Sequence, residues 1–389
     1  MMTGQRARIL AQLILIFFAS LNICYGQSGK ATAAMETSGD DYKKLGLSGS
    51  TVQPWEDGMR TTGAPGTYEW WYFDGSLSDG SSLVIVFYTK DQIMPNKPLK
   101  PKVSFELDRP DGTKVHKEVQ MDSSYFSASK DSCNVRIGAN SFSGNLHDYI
   151  IHVEIDSLKA DITLHRTVSS WRPNTGFINF QNGKDSHYFA WLPSVPQGNV
   201  EGTVTVSGRS MAIKGVGYHD HNWGDVSMLK LIHDWYWGRA QVGNYSVIAS
   251  YITAADKYNN AVMPIFMLAR DGKIVADDFT KVKFSTSNVY IDAHTKKPVA
   301  NTLVYDFNDG NNHYRVTFER SKDLVSQRFI DNLKGFKGAL AKLAGFDGAY
   351  MRFTGEVTVE RFDGDKKIET VKEKSAVWEL MYFGRAPRK

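Results

Sequence analysis

At 389 residues, with 42% hydrophobic and 23% charged side chains, the chain is long enough for two ordinary domains and too apolar to be disordered. Its formal net charge of +4 includes no basic run dense enough to bind nucleic acid, which excludes that class of partner. The 9 Trp, 18 Tyr and 21 Phe favour large apolar pockets with polar handles.

The chain opens on a targeting pattern. Arg6 and Arg8 precede the apolar run Ile9 to Ile23, and Cys24-Tyr25-Gly26 supplies small residues where a signal peptidase reads. Residues 1–26 are therefore expected to be a signal peptide, making the protein exported (periplasmic or secreted), and 27–50 a flexible polar leader. Removal of Cys24 leaves Cys133 without an intramolecular partner, so the mature chain must hold itself together by core size alone.

From about Gly49 the pattern is short strands and turns. Ser82 to Tyr88 reads as a buried strand and Val103 to Leu107 as an alternating one. Asp111-Gly112, Asp271-Gly272, Asp309-Gly310 and Asp363-Gly364 are hairpin signals between such runs. The halves echo each other. Glu69-Trp70-Trp71-Tyr72 matches Asp234-Trp235-Tyr236-Trp237, Asp111 to Val115 matches Asp271 to Val275, and Asp148-Tyr149 resembles His313-Tyr314. In order and at nearly one offset, these favour two tandem β-barrel-like domains, 51–196 and 197–389, joined at Pro193 to Gly202. One stretch breaks the β pattern. Leu324, Phe329, Leu333, Phe336, Leu340 and Leu343 recur at helical steps among lysines, predicting an amphipathic helix within 321–350. It reads as packing across a barrel end, with a mobile lid or a peripheral membrane contact as the alternatives.

The chemistry concentrates in Gly215 to Asp225. There His219 and His221, two apart, share one face of an extended chain and Asp220 points to the other. The histidines with Asp220, Asp225 and His233 invite a metal triad, but their spacing is not diagnostic and no metal is assigned. No nucleophile elbow, phosphate loop or dinucleotide fingerprint is present, so no cofactor is expected. What remains is acid/base work in an aromatic pocket. A carboxyl walled by indoles has a raised pKa and donates a proton near neutrality, while indole faces stabilise passing positive charge. That kit suits protonation of an alkene. The competing reading makes the tryptophans core and the polar groups the pins of a barrel seam.

Tyr68 to Gly75, Gly217 to Gly224 and Trp235 to Arg239 resemble the signatures of the CrtC/AttH-like superfamily, with carotenoid 1,2-hydratases, kievitone hydratase and fungal lipocalin-like Diels–Alderases. The resemblance runs from about Gly63 to Gly384. It implies an all-β chain of two lipocalin-like antiparallel barrels, an apolar small-molecule site near their junction, and no cofactor. By position, His221 and Trp223 resemble residues implicated in hydration, and Tyr251 matches a Tyr of those enzymes. No Asp sits two residues beyond Tyr251, so Asp220 becomes the candidate acid. The expected site is thus Asp220, His221 and Glu69 as catalytic groups, with Trp71, His219, Trp223, Tyr236, Trp237 and Tyr251 around a polyene, terpenoid or prenylated substrate. The reaction expected is hydration, cyclisation or isomerisation of a C=C bond, with a pericyclase or a pigment carrier as the alternatives.

Overall fold

Period-two alternation of apolar residues builds two antiparallel sheets. A computed structural model describes residues 31–332 and 347–384. In the first sheet the strands are β1 Thr32–Met35, β2 Tyr68–Leu77, β3 Ser82–Tyr88, β4 Lys102–Asp108, β5 Lys114–Gln120, β6 Phe126–Ala128 and β7 Asn134–Ile137. It continues with β8 Asn140–Gly144, β9 Asp148–Ile155, β10 Leu158–Arg166, β11 Phe177–Asn182, β12 Asp185–Val206 and β13 Arg209–Gly224. The second sheet holds β14 Ile232–Val242, β15 Tyr245–Ala254, β16 Val262–Arg270, β17 Lys273–Ala276, β18 Val282–Ile291, β19 Pro298–Asn308, β20 His313–Arg328, β21 Ala349–Asp363 and β22 Lys366–Tyr382.

In space the first sheet runs β5-β4-β3-β2-β13-β12-β10-β9-β8-β7-β6, with β11 on β12 and β1 on β11. The second runs β17-β16-β15-β14-β22-β21-β20-β19-β18. Each sheet therefore seams its first long strand to its last, β2 to β13 and β14 to β22, and each curls around a core of its own. Phe73, Phe87, Phe105 and Phe142 fill the first, and Phe266, Tyr305, Phe318 and Trp378 the second. A third apolar layer, with Tyr68, Trp191, Tyr218, Ile248, Ile252 and Met267, lies between the sheets. The lipocalin-like all-β expectation holds.

The four Asp-Gly signals each fall in a hairpin. Gly112, Gly272, Gly310 and Gly364 adopt φ of +84°, +77°, +91° and +55°, which a side chain would resist. The first two pairs of echoing motifs occupy equivalent places. The third does not, because His313 lies on β20, whose equivalent by sheet order is β10, while Asp148 lies on β9.

Three expectations need correction. The segment expected as a flexible leader is ordered from Thr32: Ala33 and Met35 are buried, β1 pairs with β11, and a short helix α1 (Gly39–Leu45) is capped by Ser38. Pro193 to Gly202 is no linker but the middle of β12. Its prolines lie at register shifts between Leu192 and Val195 and between Val195 and Gly198, where a ladder donor is dispensable. The change of sheet falls instead between Gly224 and Ile232, so β12 and β13 belong wholly to the first sheet. Finally, Ser321–Arg328 continues strand β20 and Phe329–Asn332 is a single 3-10 turn, because the β20–β21 ladder runs on through bulges and outweighs the helical spacing. Residues 333–346 of that predicted helix, and the signal peptide, lie outside the described residues.

The seam strand β13 has a tight demand. Gly217 is extended, and its role is close approach. A Cβ there would lie 2.5 Å from Val200 Cγ2 and 2.9 Å from the Asp74 carbonyl oxygen. Gly217→Ala is expected to destabilise the protein by about 1–3 kcal/mol through overpacking, visible as a lower urea midpoint.

Candidate active site

From Gly217 to Gly224 strand β13 is buried on both faces, and alternation sends its polar residues to two different places. One face looks into the first barrel. There His221 Nε2 stands 2.8 Å from Glu69 Oε1, and His219 Nε2 stands 3.2 Å from Asp57 Oδ2. Trp71 stacks on His221 at 4.6 Å and donates its indole N–H to the Asp57 carbonyl oxygen, while Trp223 lies 4.7 Å from His221. The Glu69 carboxylate also accepts from the backbone N–H groups of Arg60 and Thr61 and from the Thr61 hydroxyl. Glu69, His219 and His221 are fully buried. Burial works to raise the Asp57 carboxyl, but His219, His221 and the Tyr149 hydroxyl together hold it below the ordinary carboxylate range.

The other face looks between the sheets. Here Asp220 borders a pocket of about 110 Å³ walled by Trp70, Tyr72, Trp191, Trp235 and Trp237. Its Oδ2 accepts from the Tyr218 hydroxyl and from the Trp191 indole N–H, both at 2.7 Å, and its Oδ1 accepts from the Asn222 amide at 2.7 Å. Burial pushes this carboxyl up to about 6, against the pull of those three donors. A second carboxyl borders the same pocket from the opposite sheet. Glu379 accepts from the Trp235 indole at 3.1 Å and from the Tyr350 hydroxyl at 2.9 Å. Burial raises it too, despite those bonds and the charge of Arg352.

The two carboxyls are related by the internal repeat. Laying Glu69–Tyr72 on Asp234–Trp237 puts Tyr72 on Trp237. Across the seams Tyr72 pairs with Asp220 and Trp237 with Glu379. Asp220 and Glu379 are therefore one position in two copies of the sheet, facing each other across the pocket. Their donors correspond as well: Trp191 pairs with Asn222 and Tyr350 with Met381, two further equivalent places. An ion pair between Asp74 and Arg239, again from equivalent strand positions, bridges the sheets beside them.

Of the expected site residues, Asp220 and Trp237 meet in this pocket. The rest do not. His219, His221, Glu69, Trp71 and Trp223 face the first barrel's interior because they lie one residue out of phase with Asp220 or with Trp70 and Tyr72. His221 is thus placed to serve Glu69 and Asp57, not Asp220. Tyr236 and Tyr251 point into the second barrel, where the Tyr236 hydroxyl accepts from the Ala300 N–H and Tyr251 stacks on Phe284 at 4.0 Å. Trp70, Tyr72, Trp191, Trp235 and Glu379 were missed. Trp70, Tyr72 and Trp235 were in plain view as the other phase of motifs already singled out.

Among the described residues, Asp57, Cys133 and His219 bring ligand-type atoms within 4.8 Å of one another. Cys133 is a poor thiolate there, because burial raises it well above its ordinary range and its S–H faces the Phe142 carbonyl oxygen at 3.6 Å. Asp57 and His219 are each other's hydrogen-bond partners. The set works as a buried hydrogen-bonded plug.

Two lipocalin-like sheets that close an aromatic, carboxyl-bearing pocket between them define the class of protein. The chain belongs to the Diels-Alderase-like family, whose model matches residues 49–372. It is 29% identical over 209 residues to hydroxyneurosporene dehydrogenase of Chlorobaculum tepidum, covering 45% of this chain and 54% of that one. It is 24% identical over 200 residues to the quinolone epoxide rearrangement protein of Emericella nidulans, covering 47% and 53%. The chain thus matches about half the length of these curated relatives. The crystal structure of CghA superposes with a TM-score of 0.60 at 12% identity, over 93% of this chain and 100% of that one, a likeness of fold.

Proposed function

We propose that the protein is an exported enzyme that rearranges a C=C bond of an apolar, polyene- or terpenoid-type small molecule by proton transfer, through hydration, cyclisation or isomerisation. One observation carries the reading: two buried carboxyls with raised pKa face each other across a pocket whose walls are indoles. Asp220 is the acid. The three donors on its oxygens stabilise the carboxylate left when its proton goes to the alkene carbon. Trp70, Trp191, Trp235 and Trp237 present ring faces or edges to the cation that forms. Glu379, on the far wall, takes a proton back from the adjacent carbon or from an attacking water. Export rests on the Arg6–Gly26 pattern. The family relationships and the relatives' names, which concern carotenoid and quinolone chemistry, support the substrate class.

A pericyclic reading is favoured by the family itself and by the aromatic walls, which would fold a polyene into reacting shape without proton transfer. Mass spectrometry separates the two. Apolar extract of the source organism is incubated with the mature protein in heavy-oxygen, heavy-hydrogen water. Proton chemistry predicts a product carrying solvent deuterium, plus labelled oxygen if water adds, that is absent with Asp220→Asn. A new isomer with no solvent label, formed equally by Asp220→Asn, makes the protein a pericyclase. A ligand bound and released unchanged makes it a carrier.

A further inference from the structure

Beyond Tyr72, Trp237 and Glu379 the aromatic pocket continues into a larger chamber of about 370 Å³, and those three residues line both. The chamber is polar. Its lining includes Ser82, Gln241, Arg239, Arg352 and Glu373. Two of its charges answer each other: Asp74 pairs with Arg239 and also accepts from the Tyr72 hydroxyl at 3.1 Å.

Arg352 is different. It sits on β21 directly opposite Glu379 on β22, yet the Glu379 oxygens are taken by Trp235 and Tyr350. Among the described residues, Arg352 forms no ion pair. It reaches across the cleft to donate to Ser82 Oγ of the first sheet at 3.3 Å. A guanidinium has five N–H donors in a planar fork, so the bond to Ser82 leaves donors over for a ligand in the chamber that Arg352 lines. Nor does sheet closure demand this cation. In the first sheet the equivalent place opposite Asp220 falls in the β12 bulge between Leu192 and Val195, which holds Pro193 and Ser194. An arginine fork of this kind suits a carboxylate or another planar, delocalised anion.

We propose that the ligand is amphipathic, with an apolar unsaturated chain in the aromatic pocket and a carboxylate at one end, and that Arg352 with Ser82 holds that carboxylate in the chamber. This rests on the reading of the aromatic pocket as the substrate site. It narrows the substrate class and fixes direction: the acidic end lies past Glu379, and the reacting double bond lies between the two carboxyls. Hydrocarbon substrates with no polar end are disfavoured.

The test uses two probes with one polyene skeleton, all-trans-retinoic acid and retinol. Four tryptophans wall the pocket, so quenching of protein fluorescence reads occupancy. The mature wild type is expected to bind the acid at least about tenfold more tightly than the alcohol, as charge-assisted hydrogen bonds to a fork imply. Arg352→Gln should bring the acid to the level of the alcohol and leave retinol unchanged. Equal binding of both probes by wild type overturns the anion site while the apolar pocket stands. A preference for the acid that survives in Arg352→Gln overturns the role of Arg352. Binding of neither probe overturns the pocket reading and this inference together. If Arg352→Gln does not fold, the wild-type comparison still decides, and Arg352→Lys, which keeps the charge but loses the fork, should lower the preference.

Discussion

Asp220→Asn is expected to lower the rate by about 10²–10⁴-fold, and Glu379→Gln by a similar factor, because each removes one side of the proton transfer. Neither change empties the pocket, so KM should move much less than kcat. The pH profile distinguishes the two. Asp220 must be protonated to act, and burial places its pKa at about 6, so the wild-type rate should fall as pH rises through that value. Asp220→Asn abolishes this descending limb along with most of the rate, whereas Glu379→Gln retains it. Loss of the ascending limb in Asp220→Asn would instead exchange the roles of acid and base.

Stability provides an independent reading. A carboxyl whose folded pKa lies above its unfolded value resists ionisation in the native state. Its penalty is absent below about pH 4, grows as pH rises, and is complete above about 6, where it amounts to roughly 3 kcal/mol. Thermal denaturation of wild type should therefore show a decline between pH 4 and 7 that Asp220→Asn makes shallower, the remainder coming from Glu379, which burial raises in the same sense. A variant inactive but more pH-tolerant has lost chemistry. A variant inactive and unstable at every pH has lost its fold.

Much of this arrangement could be read from residue order, and the rest could not, for reasons visible at particular positions. Turn chemistry located the hairpins, and period two put His219 and His221 on one face with Asp220 on the other. Alternation does not say which face is lined by what, because β13 is buried on both sides from Gly217 to Gly224 and the usual apolar-in, polar-out contrast is missing there. The histidines, conspicuous in the sequence, proved to line the barrel interior. The pocket face belonged to their quieter neighbours, Asp220 and Asn222. Asp57 was invisible because it sits in an isolated 3-10 turn, Pro54–Asp57, whose closeness to His219 is purely tertiary. Glu379 was hidden differently. It lies amid Trp378, Leu380 and Tyr382 in the last described strand, and its equivalence to Asp220 emerges only when the Trp-rich repeat is combined with the ladder register of both seams. The repeat was legible, but the register was not.

The buried plug behind the pocket leads to the opposite outcome. Glu69 accepts four hydrogen bonds, from His221 and the Arg60–Thr61 segment, with no exposure to solvent. Removing one partner from such a group strands the others, and the cost is about 3–5 kcal/mol. Glu69→Ala should therefore lower the melting temperature by roughly 6–20 °C, given about 2–4 °C per kcal/mol for domains of this size. Glu69→Gln, which cannot accept from all four donors, should fall in the same direction by less. The catalytic rate of the folded fraction, measured well below the transition, should change by no more than a few-fold in either variant. The pocket is built from the other phase of β2 and β13, and Trp70 and Tyr72 keep their place as long as the strands remain paired. A folded Glu69→Gln protein with its rate reduced a hundredfold would mean that the barrel interior takes part in the reaction. His221 and Glu69 would then have to reach the substrate through the sheet that now separates them from it.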